Sequence, residues 1–126
     1  MYEFNAIKIE GFNQIKILEE VNNYFLDKDY PEKILMINHL RDVDRILNVE
    51  HIRSIHFPEI NNIYVYHERL KELYQTNYSS VCEYVEQLEP WEDVDLLIFN
   101  QSYKWFIAIT HNDIILYHGL NDNSSN

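Results

Sequence analysis

The run Trp105-Phe106-Ile107-Ala108-Ile109 is apolar at every position and lies between two polar turns, Asn100-Gln101-Ser102 and His111-Asn112-Asp113. In an extended chain successive side chains point to opposite faces, so Trp105, Ile107 and Ile109 share one face while Phe106 and Ala108 share the other. A strand that is apolar on both faces needs cover on both, which makes it a central strand with packing above and below. Residues 94–99 and 114–118 read as strands on either side of it, and the short turns predict an antiparallel meander of three strands over the C-terminal third. The run is far too short to span a bilayer.

Upstream, the period changes. Over residues 13–27, Ile15, Leu18, Val21 and Phe25 recur at steps of three and four with acids and amides between them, which predicts an amphipathic helix. Asp29-Tyr30-Pro31-Glu32 looks like a second helix start, and Ile34, Ile37, Leu40, Val43 and Leu47 continue at helical spacing. The stretch Ile34-Leu35-Met36-Ile37 also fits a short buried strand. Residues 52–57 and 63–67 read as two strands, with a hairpin as one arrangement, since the second is rich in β-branched and aromatic residues. From 68 to 88 the chain reads as helix again, through Leu70, Leu73, Tyr74, Val81, Tyr84, Val85 and Leu88. Asn77-Tyr78-Ser79-Ser80 is a candidate break, with Ser79 or Ser80 as the cap.

Helices first, then strands, another helix and a meander predict one α+β domain over residues 1–120, with a largely antiparallel sheet and helices packed on it. Residues 121–126 read as a frayed polar tail. Expected core residues are Ile15, Leu18, Val21, Phe25, Leu40, Val43, Leu47, Leu97, Phe99, Trp105, Ile107 and Ile109. The 46% hydrophobic and 25% charged content suits a folded chain rather than a disordered one.

Charge limits the partners. Twenty-one acidic against ten basic residues give a formal charge of −11, which repels a nucleic-acid backbone or an anionic membrane surface. Only Gly11 and Gly119 are available, so a glycine-rich phosphate cradle cannot be built. The single Cys82 forms neither an internal disulfide nor a cysteine-based zinc site. No cofactor is expected. The N-terminal residues lack a basic and apolar leader pattern, so the expectation is a soluble, cytoplasmic protein.

The acidity is uneven. Between Lys71 and Lys104 there is no basic residue, while Glu72, Glu83, Glu86, Glu89, Glu92, Asp93 and Asp95 fall there. Tyr74, Tyr78, Tyr84, Trp91 and Tyr103 are interleaved. Glu83 and Glu86 lie three apart, on one face of a helix. An acidic field speeds encounter with a basic partner, and Tyr or Trp anchors such contacts. Glu83, Tyr84, Glu86, Trp91, Glu92 and Asp93 are therefore the candidate partner-binding residues. The plainer reading is a solvated helix face with buried aromatics.

Thr110-His111-Asn112-Asp113 offers a different chemistry. His111 and Asp113 have the residue types of a general acid–base pair or of two metal ligands, whereas His118 lies too far along the next strand to join them. The plainer reading is turn chemistry, since Asn and Asp hydrogen-bond their own backbone. His39, His51, His56 and His67 show no metal-ligand spacing, although His67-Glu68 stands at a strand end where a site edge is conceivable. Cys82 has an acid beside it, which raises a thiol pKa and argues for an inert cysteine.

The run Pro90-Trp91-Glu92-Asp93-Val94-Asp95 followed by Trp105-Phe106-Ile107-Ala108-Ile109-Thr110-His111-Asn112-Asp113 resembles the ending of small uncharacterised bacterial domains with a Trp…Trp…Thr-His-x-Asp pattern. In size, acidity and α+β pattern the chain is also similar to bacterial immunity proteins of toxin systems. Those resemblances imply an intracellular binding protein without naming a catalytic residue. The leading expectation is thus a small acidic protein-binding module, of the immunity-inhibitor type, for a basic protein. The alternatives are a small hydrolase or metal-dependent enzyme using His111 and Asp113, and a homo-oligomeric structural protein.

Overall fold

The structure, a computed structural model, describes residues 6–26, 40–88, 94–110 and 113–122. In chain order the elements are β1 (Ile7–Ile9), α1 (Phe12–Phe25), β2 (Arg45–Asn48), a 3-10 helix (Val49–Ser54), β3 (Ile55–His56), β4 (Ile63–His67), β5 (Glu72–Thr76), α2 (Tyr78–Glu86), β6 (Leu96–Asn100), β7 (Phe106–Ile109), β8 (Ile114–His118) and β9 (Asn121–Asp122). The described strands form a seven-stranded sheet in the order β1-β5-β4-β6-β7-β8-β2, with every ladder antiparallel, and β3 pairs with β9 separately. This is an α+β fold.

The β6-β7-β8 meander forms as its sequence predicts, with Ile98 opposite Ile107 and Ile107 opposite Tyr117. Both faces are covered. On one, Trp105, Ile107 and Ile109 join Ile63, Val65, Ile98, Ile115 and the inner side of α2, together with Ile52 and Ile55. On the other, Phe106 and Ala108 join Leu97, Phe99, Tyr66, Leu73 and the α1 residues Val21 and Phe25. The second layer is markedly aromatic: Phe25 meets Phe99 and Phe106 edge-on at 6.0 and 5.1 Å, and Tyr24 stacks on Tyr103 at 5.4 Å. Such offset and edge contacts add to plain area burial.

α1 carries the chain from one sheet edge, β1, toward the other, β2. Its last turn is closed by Arg41, whose guanidinium donates to the carbonyls of Asn23 and Tyr24 at 3.1 and 2.9 Å, satisfying groups that a helix end leaves open. Gly119 ends β8 at φ +75°, where a Cβ would come within 2.5 Å of the Lys104 carbonyl oxygen. A side chain there is excluded both by the backbone conformation and by the neighbouring strand entry.

Several expected elements differ. Residues 45–48 are the edge strand β2, not a continued helix: Leu47 faces one sheet layer and Ile46 is 63% exposed on the other side. The remainder of that expected helix, including Pro31, Ile34 and Ile37, lies outside the described residues. Val43 and Ile15 are exposed at 37% and 57% rather than core. The 52–57 segment is a 3-10 turn ending in β3, which pairs with β9 and not with β4. Residues 72–76 are a strand filling the gap between β1 and β4, so the helix begins only at Tyr78. Its cap is Asn77, whose side-chain oxygen accepts from the Ser80 amide at 2.9 Å, rather than either serine. Asn121 and Asp122 form β9, and the rest of the expected polar tail, residues 123–126, lies outside the described residues.

Candidate functional site

α2 divides the acidic segment. Val81, Cys82, Tyr84 and Val85 point into the core, while Glu83 and Glu86 lie on the exposed side. The two acids share a face, as their spacing predicts. Tyr84 does not join them: it is 6% exposed and packs in the layer under α2. Trp91, Glu92 and Asp93 lie outside the described residues, as does His111.

The base-free interval is answered from elsewhere in the chain. Arg53, at the end of the 3-10 helix, grips Glu86 with two hydrogen bonds, Nε to Oε2 at 2.7 Å and Nη2 to Oε1 at 2.9 Å. That bond holds the Glu86 carboxyl below the usual carboxylate range. Lys8 donates to Glu72 Oε2 at 3.1 Å and the Tyr74 hydroxyl donates to its Oε1 at 2.8 Å, which lowers the Glu72 pKa in turn. Arg69 Nε donates at 2.7 Å to Asp95, whose side chain is wholly buried. The three ion pairs join residues 26, 33 and 64 positions apart in sequence and meet only through the fold, so spacing gives no sign of them.

Beside Arg53 lies a shallow groove of about 300 Å³, lined by Arg53, Ile55, His56, Phe57, Ile60 and Tyr78. Phe57 meets Tyr78 edge-on at 4.8 Å and leans on Trp105 at 5.4 Å. Ile60 is 66% exposed. An aromatic and aliphatic floor with an ion pair at the rim is the usual anatomy of a small protein-contact site. Burial is the first cause raising both the Cys82 thiol and the Tyr78 hydroxyl, so neither is activated as a nucleophile.

A second cluster gathers where β4 turns into β5. His67 is 9% exposed and stands opposite Glu72 in the ladder, and its Nδ1 finds no hydrogen-bond partner among the described residues. Burial pushes its pKa down. Asp113 adopts φ 60° in a closed turn, its amide donating to the Thr110 carbonyl at 3.1 Å; this is the turn chemistry its residue type favours. His118 stacks on Phe106 at the far end of β8, with its Nδ1 3.3 Å from Asp44. Among the described residues there is no group of three or more His, Cys, Asp or Glu able to hold a metal ion. Nor is any described helix long and apolar enough to cross a membrane.

Comparison with protein-family models, with curated proteins and with solved structures gives no significant match to this chain.

Proposed function

We propose that the chain is a small acidic protein-binding module that engages a basic protein, in the manner of an immunity-type inhibitor, through the exposed side of α2 and the adjoining groove. The observation that carries this reading is how the chain uses its scarce cations. Lys8, Arg53 and Arg69 are each held by a carboxylate, and Arg41 by helix carbonyls. Those four of the ten bases are thereby committed internally, and Glu19, Asp42, Glu59, Glu83 and Asp113 lie exposed at the surface. An excess of this sign draws in a basic surface and rejects an acidic one. Glu83 supplies charge at the interface, the Arg53–Glu86 pair supplies a polar rim, Phe57, Ile60 and Tyr78 supply contact area, and Tyr84 supports α2 from beneath. Trp91, Glu92 and Asp93, next in sequence, extend the same segment.

Affinity capture from the source cell at low and moderate salt, followed by measured binding of the purified partner, tests this. The expected result is one basic protein bound in fixed stoichiometry, weakened by salt and by Glu83→Lys and Ile60→Asp. A partner whose affinity ignores both substitutions, or the absence of any stoichiometric partner, overturns it.

A further inference from the structure

We propose a separate binding site for a small neutral saccharide at the end of β5. A concavity of about 540 Å³ opens there, walled by Asn61, Asn62, Gln75, Thr76 and Asn77, with Ala6 and Ile7 as its apolar side. Its size falls within the range of small-ligand pockets. Its chemistry is unusual for this molecule: in a chain with 25% charged residues and a charge of −11, no lining residue among those described is charged. Lys8, the nearest base in sequence, alternates to the opposite sheet face and is held by Glu72. Among the described residues, an anionic ligand finds no cation in this lining and a cationic ligand finds no carboxylate.

What the site does offer is amides in fixed orientation. Gln75 Nε2 donates to Asn62 Oδ1 at 3.1 Å, so that pair keeps one carbonyl oxygen and one amino group for a ligand. Asn77 spends its oxygen on the Ser80 amide, so its contribution to a ligand would be the Nδ2 donors. β5 and the α2 cap hold these groups rigidly, so little side-chain freedom is lost on binding. Sugar hydroxyls donate and accept at once and match such a mixed set. The C–H face of a sugar ring would lie on Ile7, which is 71% exposed.

Side-chain amide NMR shifts during titration of the full chain test this. The panel is glucose, galactose, N-acetylglucosamine and their β-linked disaccharides, with glucosamine and glucuronate as charged analogues and triglycine as a peptide control. The expected result is saturable movement of the Asn62, Gln75 and Asn77 amide signals by at least one neutral sugar, and weaker movement by its charged analogues. Asn77→Asp keeps the helix cap but removes the donor and adds charge, so it should weaken that sugar about tenfold with thermal stability unchanged; Gln75→Ala should weaken it similarly. The proposal is overturned if no sugar moves these signals, if triglycine alone does, or if affinity survives both substitutions.

Discussion

At the scale of single residues, burial decides which charges matter. The Arg53–Glu86 pair has excellent geometry, but both side chains are about half exposed, so water competes with each partner and its net worth is small. Arg69–Asp95 differs because the Asp95 side chain has no exposure at all while Arg69 is 38% exposed. Arg69→Ala strips a cation from a buried carboxylate. The expected cost in urea unfolding is on the order of 2–3 kcal/mol, under the full buried-pair value because Arg69 keeps some water. Adding Asp95→Asn should recover part of it, since the buried negative charge is then gone. Burial also sets the behaviour of His67, whose folded-state pKa lies below its ordinary value. As pH falls, the unfolded chain takes up the proton first, so the stability held above about pH 6.5 is lost as pH falls through the folded pKa. Thermal melts from pH 8 to 5 should therefore show a decline in the wild type that is shallower in His67→Gln.

At the scale of elements, α2 depends on its first turn. Nine residues are too few to hold a helix by propensity alone, so capping and the packed inner face maintain it. Asn77→Ala should cost about 1 kcal/mol in urea unfolding, and Asn77→Asp almost nothing. The same boundary shows where pattern in the sequence stops being sufficient. Leu70, Leu73 and Tyr74 step at helical intervals, yet Glu72–Thr76 is a strand because it pairs at five positions with the neighbouring β4 and at three with β1, which lies 64 to 68 residues earlier. The meander was legible because its signal is local: an apolar run between two turns, with both strand neighbours adjacent in sequence. β2 was not, since its only described ladder partner, β8, lies some seventy residues further on. The candidate site divides in the same way. That Glu83 and Glu86 share an exposed face follows from helix period alone, whereas the inward turn of Tyr84 and the claims of Arg53, Lys8 and Arg69 on the acids are products of tertiary packing.

At the scale of the whole molecule, the formal charge of −11 is unevenly compensated. Its described ion pairs tie up single acids, but the surplus remains and repels itself across the surface. Two opposing effects of salt follow, and their magnitudes decide the sign. Screening weakens the exposed pairs Lys8–Glu72 and Arg53–Glu86, each of which contributes little to begin with. It also relieves repulsion among many like charges at once, because the Debye length shrinks from about 30 Å at 10 mM to about 8 Å at 150 mM ionic strength. The collective term is the larger, so the melting temperature should rise as sodium chloride goes from 10 to 150 mM, a range too dilute for strong salting-out effects. If isolated ion pairs dominated instead, it would fall. Glu19→Lys with Glu59→Lys changes two exposed acids to bases and moves the formal charge from −11 to −7, four units less negative. That variant should melt higher than the wild type at 10 mM salt and gain less from added salt, while the two converge at 150 mM. Parallel curves would place the salt response in something other than the net charge.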